Sequence, residues 1–590
     1  MLKKDTPSPV GESWQTAYTF RMADTLAVGE MVCYQIDFQP KRESDLAFSG
    51  TVWLDTTRLG LIEIEARVGK RANINFVEDL RISQQYEPTE PGARLPTRTQ
   101  ITIDTDQPPA NPPGALIRFF IAARNVVVNQ PKEAAFYDPA IKLADDYKQA
   151  DAGFWERARP DPLSAAESRA FQVVDSVRNV PIIKISGEAI KLVANGYQPL
   201  GNTNLDIGPL LYSYAWNDIE GSRLRVGLRT NTGFSRRWVL SGYAAYGTRD
   251  QRFKYGLGTE FIISRKPWTV LGVQHSYDLD QLGIAPETVG NNPVFLAYTR
   301  FGTQRRAYFQ EQTYGYLKRD LGRGFTQTIG IRTRDFDPLF AFTYTVSSNN
   351  PLKIQQRNYF KTSELVLETR FAPDELFVQN DNERLSLGAL RKPVVTLRYN
   401  LAMQGVLCSD FTCHRLSAEV RHSFRLGVLG RTTYVMGGGI VPATLPYPLL
   451  FIPLGNQSLF RVDNAYNLMN YFEFVTDRYA TLRLQHNFEG LFFNRIPAIR
   501  RLKWRTLVTA KILAGSVTEA NQTLSPTTNT PGQPVADVQP LTWQKPYVKV
   551  GYGIDNIFKL IRVDGIHRLT YRDAPNATPF AIKVSAWVKL

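Results

Sequence analysis

The chain has 590 residues, a mean hydropathy of −0.26 and a formal net charge of +15 from 70 basic and 55 acidic side chains. No run approaches the roughly 18 consecutive apolar residues of a membrane-spanning helix, so a helical membrane protein is excluded. The basic residues stand singly at alternate positions and form no stripe, which argues against nucleic acid as a partner.

Residues 1–135 are predicted to form a small antiparallel β domain. Alternation of apolar and polar residues is imperfect in this part of the chain, as in a curved sheet with one buried face. The predicted strands are 31–38, 46–54, 61–68, 73–87, 99–104 and 116–128. The domain is expected in the periplasm, where it would contact other envelope proteins.

Residues 136–205 are predicted to form a mainly helical connector. Ser164 and Glu167 have the spacing of a capping box, with Leu163 just before the cap. An amphipathic stretch continues from there to about Val177, which is typical of a short surface helix.

From Asp206 to Leu590 the chain consists of alternating segments separated by turns. Successive side chains of a strand point to opposite faces, so each segment presents one apolar and one polar face. A lipid-facing barrel needs this pattern in every strand and must leave no free edge, so its last strand should pair with its first. The clearest segments are 223–229, 394–403, 416–426, 481–489 and 581–590. The sequence therefore predicts an all-β protein with a transmembrane antiparallel β-barrel in an outer-membrane lipid bilayer.

The spacing of turns predicts about sixteen strands (14–16), an even number as bacterial barrels require. Short turns near 232–235, 322–324 and 555–559 would lie at the periplasmic end. Long connectors near 280–305, 340–362, 443–470 and 518–545 would lie at the opposite end. The first seven residues are not followed by an apolar segment and so do not form a signal peptide. Because a barrel must be exported, we expect a signal and upstream sequence to have been removed.

The polar faces of the predicted strands carry both charge signs, which favours a hydrated or salt-bridged interior over a dry core. The candidate lumen-facing residues are Arg223, Arg225, Arg229, Glu419, Arg421, Arg425 and Arg483. Tyr212, Tyr214 and Trp216 share one predicted strand face. They suit an interfacial aromatic girdle or a buried aromatic stripe.

The connector at 442–470 is the best candidate for a functional segment. Its stretch 447–454 is too apolar for a solvated loop, so it should fold into the lumen, pack over the mouth or be covered by a partner. The residues predicted to form this plug or partner-binding loop are Tyr447, Leu449, Leu450, Phe451, Ile452, Leu468, Tyr471 and Phe472.

Several segments carry a family resemblance: 47–54, 72–77, 217–225, 455–458, 466–474, 477–479 and 556–563. They resemble a Bacteroidota outer-membrane family of unknown function that usually follows a carboxypeptidase-regulatory-like domain. The resemblance implies an outer-membrane barrel with a periplasmic N-terminal part, and it brings no catalytic residues. The preceding domain is absent from the sequence, and Leu590 stands where barrels commonly end in an aromatic residue.

Motifs for catalysis are missing from the sequence. The five histidines are scattered, and neither a His-Glu-x-x-His nor a Gly-x-Ser-x-Gly motif occurs. We therefore predict no enzymatic activity, no metal site and no cofactor. Cys408 and Cys413 bracket a predicted hairpin loop and could form a disulfide there in an oxidising environment.

Three functions compete on this evidence. The leading hypothesis is a binding, assembly or translocation component of the bacterial envelope with a periplasmic docking domain. The second is a passive or gated transport channel with an arginine-rich lumen. The third, a surface hydrolase, is the least favoured because no catalytic motif supports it.

Overall fold

The fold is built from two large antiparallel sheets, one of 7 strands and one of 18. A computed structural model describes residues 6–133 and 196–586, apart from gaps of ten residues or fewer, and six residues between those ranges. The predicted connector helix lies largely outside the described residues; the described ones within it, Ala165 and 167–169, are helical. The all-β prediction is confirmed.

The first sheet is a meander in which each strand pairs with the next. Alternation places Phe38, Val52 and Ile64 on one side, where they pack with Tyr18. The first strand was not predicted from the sequence, whereas the six others overlap the predicted ones. The strands are β1 (Tyr18–Val28), β2 (Met31–Pro40), β3 (Ser49–Asp55), β4 (Leu61–Val68), β5 (Val77–Pro88), β6 (Arg94–Thr105) and β7 (Leu116–Ala122).

The second sheet and three small hairpins make up the remaining strands. In chain order these are β8 (Gln198–Pro199), β9 (Leu205–Ile207), β10 (Tyr214–Asn217), β11 (Gly221–Thr230), β12 (Trp238–Gly247), β13 (Phe253–Arg265), β14 (Trp268–Gln281), β15 (Ala307–Gly322), β16 (Phe325–Pro338), β17 (Tyr344–Val346), β18 (Gln355–Arg357), β19 (Phe360–Phe371), β20 (Glu375–Gln379), β21 (Arg384–Ala389), β22 (Val394–Ala402), β23 (Cys413–Arg425), β24 (Arg431–Ile440), β25 (Arg478–Glu489), β26 (Arg505–Ser516), β27 (Thr528–Thr530), β28 (Gln533–Pro534), β29 (Tyr547–Ile557), β30 (Ile561–Arg568) and β31 (Phe580–Ala586).

The predicted number of barrel strands is confirmed. Strands β9 and β10 pair with opposite ends of β11, so they act as one first strand that is interrupted at residues 208–213. The two-residue β8 lies beside β9. When β9 and β10 are counted together and β8 is set aside, the 18 strands of this sheet make sixteen. From β11 to β31 each strand pairs antiparallel with the next one in the sheet.

Helices in the described residues are few and short. They are α1 (Trp14–Ala17), α2 (Pro293–Tyr298), α3 (Pro497–Arg500) and α4 (Glu519–Leu524), with single 3₁₀ turns at Leu210–Tyr212, Val406–Cys408, Gly427–Leu429, Tyr447–Leu449 and Phe493–Arg495. None of these helices is long and apolar enough to span a membrane.

The outer face of the barrel is apolar and the inner face is polar. On β11, Leu224 and Val226 are 58% and 59% exposed, whereas Arg223, directly before Leu224, is 3% exposed. The same alternation recurs on β23, where Leu416 and Phe424 are exposed. A continuous apolar outer band is what lipid requires of a barrel, so the predicted transmembrane architecture is confirmed.

Loop segments cover the edges of the first and last strands. The amide of Gly302 donates to the Trp216 carbonyl of β10 at 2.9 Å. On β31, the Val584 amide donates to the Leu459 carbonyl at 3.1 Å, and the Arg461 amide donates to the Val584 carbonyl at 2.8 Å. Among the described residues, which stop at Ala586, no backbone ladder joins β31 to β10. In the order of the sheet, β8 stands between β31 and β9. The last four residues, to which the expected pairing of the chain end applies, lie outside the described residues.

The N-terminal sheet contacts the barrel at the end that carries the short turns. The side-chain amides of Asn75 and Asn556 exchange hydrogen bonds of 2.6 and 2.9 Å, and both residues are buried. Lys503 donates to the Ile74 carbonyl at 2.8 Å, and the Lys559 ammonium lies 5.2 Å from the Phe76 ring centroid. This contact fixes which end of the barrel faces the N-terminal sheet.

Candidate functional site

Residues 441–477, hereafter the plug, connect β24 to β25 and fold into the barrel. Ala465 and Phe474 are fully buried. The position of Val584 shows how deep the plug lies. Val584 bonds to the plug and pairs with Val563, two residues from Ile561, the end of β30 that carries a short turn. The plug therefore reaches far down the lumen towards the N-terminal sheet. Of the three arrangements left open by the sequence, these contacts favour the first.

The part of the plug nearer the long connectors is held by an apolar cluster. Leu449, Leu450 and Phe472 pack there against Phe360 of β19 and Cys413 of β23. Tyr447, Phe451 and Ile452 are partly buried against the same cluster, so six of the eight predicted loop residues meet in it. Of the other two, Leu468 is buried and Tyr471 is partly buried elsewhere in the plug.

Aromatic groups of the plug lie close to a basic side chain of the outer loops. The guanidinium of Arg306 lies 3.9 Å from the Phe472 ring centroid and donates to the Tyr447 hydroxyl at 3.5 Å. Burial raises the pKa of the Tyr447 phenol to about 12, and it does the same for Tyr471. Both phenols therefore stay neutral at physiological pH and act as hydrogen-bonding groups.

The lower part of the plug has its own polar network. Asn456 donates to the Asn467 side chain at 2.8 Å, and that same oxygen accepts the Val462 amide at 2.9 Å. The hydroxyl of Ser458 donates to the Asn456 side chain at 2.7 Å. Both asparagines are almost completely buried. A satisfied buried network of this kind rigidifies the segment, so the plug has a defined conformation.

Three cations of β26, β30 and β31 anchor the plug. The ammonium of Lys511 donates to the carbonyls of Asp463 and Ala465, the latter at 2.8 Å. Lys583 donates in the same way to the Ser458 carbonyl. These are the acceptors that a buried ammonium requires. The plug and the wall behind it therefore depend on each other.

The third anchor is an ion pair between Arg568 of β30 and Glu473 of the plug. The two guanidinium nitrogens donate to the two carboxylate oxygens at 3.1 and 2.5 Å. The side chains are 0% and 2% exposed. These anchors were not predicted from the sequence, although Lys583 and Arg568 stand at the alternate strand positions that point to the inner face.

The predicted lumen-facing residues of β11 lie on the inner face. Arg223 pairs with Glu220 at 2.7 Å and with Asp278 at 2.8 Å. Arg225 stacks beside Tyr243, and Arg229 pairs with Glu383 at 2.7 Å. The structure thus brings Arg223 and Arg225 together, while Arg229 lies nearer the end with short turns.

The predicted residues of β23 and β25 also face inward. Glu419 accepts a 2.6 Å bond from Arg483, which also donates to Asn464 of the plug at 2.9 Å. Arg421 and Arg425 stand two and six positions after Glu419, on the same face of β23. Arg421 is exposed and Arg425 is half-exposed. Through Arg483, these two strands connect the plug to the polar inner wall.

A further buried cluster was not predicted. Glu364 of β19 accepts bonds from Arg332 at 3.0 Å, from Asn400 at 2.8 Å and from Arg334. Nearby, Arg415 donates to the Leu449 carbonyl of the plug. On this side of the barrel, Arg415 holds the plug as well.

The candidate disulfide is not formed, and both cysteines are free thiols. Cys413 is the first residue of β23 and is buried in the apolar cluster against the plug. Cys408 is exposed in the preceding loop, where it adopts a φ of 65°. The two side chains are separated because one belongs to the inner wall and the other to the surface. In the described part of the chain, no group of three potential metal ligands occurs.

No curated protein matches the chain. BamA from Haemophilus ducreyi lacking POTRA domains 1–3 is similar over 66% of this chain and 74% of that chain, with 10% identity and a TM-score of 0.40. CdiB from Acinetobacter baumannii covers 63% and 58%, with 13% identity and a TM-score of 0.31. OccK10 (OpdN) from Pseudomonas aeruginosa covers 62% and 91%, with 9% identity and a TM-score of 0.27. TM-scores and identities this low do not indicate a shared mechanism.

Family models match the chain over both of its sheets. Residues 1–108 match the family of unknown function DUF5686, and residues 192–521 match the C-terminal domain of that family. The matched regions contain six of the seven strands of the N-terminal sheet, the plug and most of the barrel strands. The chain therefore belongs to the DUF5686 family of unknown function.

Proposed function

We propose that this protein is a plugged barrel that binds other envelope proteins and serves in their assembly or translocation. The N-terminal sheet is the docking domain and faces the periplasm. The barrel anchors this domain in the membrane, and the plug closes the lumen.

The edge strand β7 of the N-terminal sheet carries the proposal. It pairs with β6, and among the described residues no strand pairs with its other edge. Phe119, Phe120 and Ile121 are 47%, 52% and 57% exposed. An exposed apolar edge strand is a ready template for another chain, so soluble proteins normally cover or charge it. A partner that adds a strand would satisfy both its backbone and its apolar side chains.

The contact between the N-terminal sheet and the barrel supports the same proposal. Asn75 and Asn556 tie the N-terminal sheet to the turns at one end of the barrel. A bound partner would therefore be held beside the barrel mouth. The plug, which Lys511, Lys583 and Arg568 anchor to the wall, occupies the lumen. An occupied lumen suits a binding or assembly role better than free diffusion of solutes.

Site-specific photocrosslinking in intact cells tests the proposal. A photoreactive residue at position 121 lies on the exposed edge strand. One at position 85 lies on β5, an interior strand of the same sheet, where Gln85 is exposed but polar. We expect discrete adducts with an envelope protein from position 121 and none from position 85. Equal adduct patterns from both positions would rule out β7 as the docking edge.

A transport channel is the second candidate. The observation in its favour is the inward arginine series of β23, where Arg421 is exposed on the inner face. Such a lining would favour anions in an open lumen. Planar-bilayer recording distinguishes the two functions. Steady anion-selective conductance of the intact protein would favour the channel. Conductance that appears only after removal of residues 447–474 would favour the plugged barrel.

A further inference from the structure

The interruption of the first barrel strand creates a cavity. Between β9 and β10 the chain leaves the ladder in the turn Leu210–Tyr212. The Gly208 amide still donates to the Gly227 carbonyl of β11 at 2.9 Å. An ideal Cβ on Gly227 would lie 2.2 Å from the Gly208 carbonyl oxygen, so only glycine permits this close approach. The turn places Tyr212 over the inner face of β11.

The cavity beside this turn has a volume of about 210 Å³. Its lining includes Tyr212, Arg225, Tyr243, Asp278 and Arg300. Ligand pockets for whole drug-sized molecules are larger, about 300–1,000 Å³. The space therefore fits a small charged group or one end of a longer molecule.

The charged groups of the lining do not cancel. Three arginines and two aspartates face the cavity. Arg223 makes a bidentate pair with Asp278 at 2.8 and 3.0 Å. Arg300 pairs with Asp280 at 3.2 Å. Among the residues of the lining, the positive charge of Arg225 is thus the one without a paired carboxylate, while Arg223 also pairs with Glu220 behind the lining at 2.7 Å.

Arg225 is held by aromatic rings alone. Its guanidinium carbon lies 4.0 Å from the Tyr243 ring centroid and 5.3 Å from the Tyr212 ring centroid. Among the described residues, its guanidinium forms no hydrogen bond or ion pair. Stacking fixes the plane of the guanidinium while leaving its N–H groups available. Planar N–H groups presented in this way match the two oxygens of a carboxylate or phosphate.

One residue of the cavity lining belongs to the lipid-facing side of the first strand. Tyr214 lines the cavity, and on the sheet it pairs directly with Leu224 of the outer face. Both residues are at least half exposed. On the inner side, Ile284 and Leu296 add apolar surface. An anionic group at Arg225 could thus continue into an apolar chain that leaves beside Tyr214.

We propose that this cavity binds the anionic head group of a membrane amphiphile, a phosphate or carboxylate, with Arg225 as the binding residue. The apolar exit beside Tyr214 favours a lipid over a free anion. This site is independent of the docking role of the N-terminal sheet.

Lipid retention by the full chain tests the site. The protein is reconstituted in phosphatidylcholine nanodiscs with increasing phosphatidylglycerol, and the retained lipid is counted by native mass spectrometry after release. Arg225→Gln should weaken retention of phosphatidylglycerol by about ten- to a hundredfold, the usual effect of losing charge-assisted hydrogen bonds. Arg225→Lys keeps the charge but loses the planar donor pair, so its loss should be smaller.

The matched control is Arg421→Gln, which removes another inward arginine on β23, far from the cavity lining. Titration with inorganic phosphate identifies the source of the anion. Displacement of the lipid by phosphate in the wild type, but not in Arg225→Gln, would show a general phosphate site. Retention that phosphate does not affect would show a lipid site. Equal lipid retention and phosphate binding in the wild type, Arg225→Gln and Arg421→Gln would overturn the proposal. A heat-dependent gel shift checks folding, and Arg225→Lys supplies the test if Arg225→Gln does not fold.

Discussion

The buried ion pair between Glu473 and Arg568 should control release of the plug. Arg568 is fully buried, and it also donates to the carbonyls of Thr570 and Tyr571 at 3.1 and 2.6 Å. Replacement of Glu473 by glutamine keeps the size of the side chain and removes its charge. The guanidinium of Arg568 would then be buried without a counter-charge while the plug is in place. Outward movement of the plug would let water solvate that charge, so the substitution favours the released state.

The expected size of this effect follows from the burial of the pair. Breaking a buried ion pair by removal of one partner costs about 3–5 kcal/mol. At about 1.36 kcal/mol for each factor of ten, the equilibrium between released and seated plug should rise roughly 150- to 5,000-fold. The two backbone carbonyls that remain on Arg568 place the effect near the lower end of this range.

Hydrogen exchange of residues 455–474, together with the frequency of single-channel openings, measures plug release. The matched control is Glu368→Gln on the barrel wall, whose partner Arg398 lies 2.5 Å away and whose pair is 30% and 40% exposed. Exposed pairs contribute about 0–1 kcal/mol, so this control should change exchange less than about fivefold. If Glu473→Gln and Glu368→Gln exchange at the same rate, the buried pair does not hold the plug.

Three further outcomes are expected. Asn75→Leu leaves the Asn556 amide buried without its partner and should weaken docking of the N-terminal sheet by about 1–3 kcal/mol; limited proteolysis of the full chain would detect this as faster cleavage, and unchanged cleavage would contradict it. Burial raises the pKa of the Asp477 carboxyl, but neighbouring hydrogen-bond donors lower it more, so its pKa lies below the ordinary value. The Asp477 carboxylate therefore stabilises the junction between the plug and β25 fully above the unfolded pKa of about 3.9, and this stabilisation is lost as the pH falls through the folded pKa. Acid should increase single-channel openings in the wild type and have less effect in Asp477→Asn. A thiol-specific maleimide should label exposed Cys408 and spare buried Cys413, and rapid labelling of both would show that the cluster around Cys413 is open.

The barrel itself could be predicted because its pattern is local. The alternation of apolar and polar residues identifies the two faces of a strand within a few residues, as in β23 between Leu416 and Phe424. Short turns then separate one strand from the next. The same reasoning placed Glu419 and Arg483 on the inner face, where they form an ion pair. The apolar composition of 447–454 likewise predicted burial of that segment, although it did not select the lumen over the mouth.

Partners that are distant in sequence could not be predicted. Asp278 lies 55 residues from Arg223, and Glu473 lies 95 residues from Arg568. The aromatic series at 212–216 illustrates the same limit. It was predicted to share one strand face, but Tyr212 belongs to the turn that interrupts the first strand, and only Tyr214 and Trp216 face outward. That interruption depends on contacts with β11, which periodicity does not record.

The order of the plug and its anchors along the chain has a consequence for biogenesis. Lys511, Arg568 and Lys583 all belong to strands that follow the plug, and the Lys583 contact with Ser458 spans 125 residues. A growing or partly inserted chain therefore has the plug segment before it has any of these cations. Conversely, the final strands cannot exclude water from their cations until the segment is in place. Filling the lumen and adding the last strands should thus occur as one cooperative step, and a barrel halted before β30 should expose residues 455–474 to proteases.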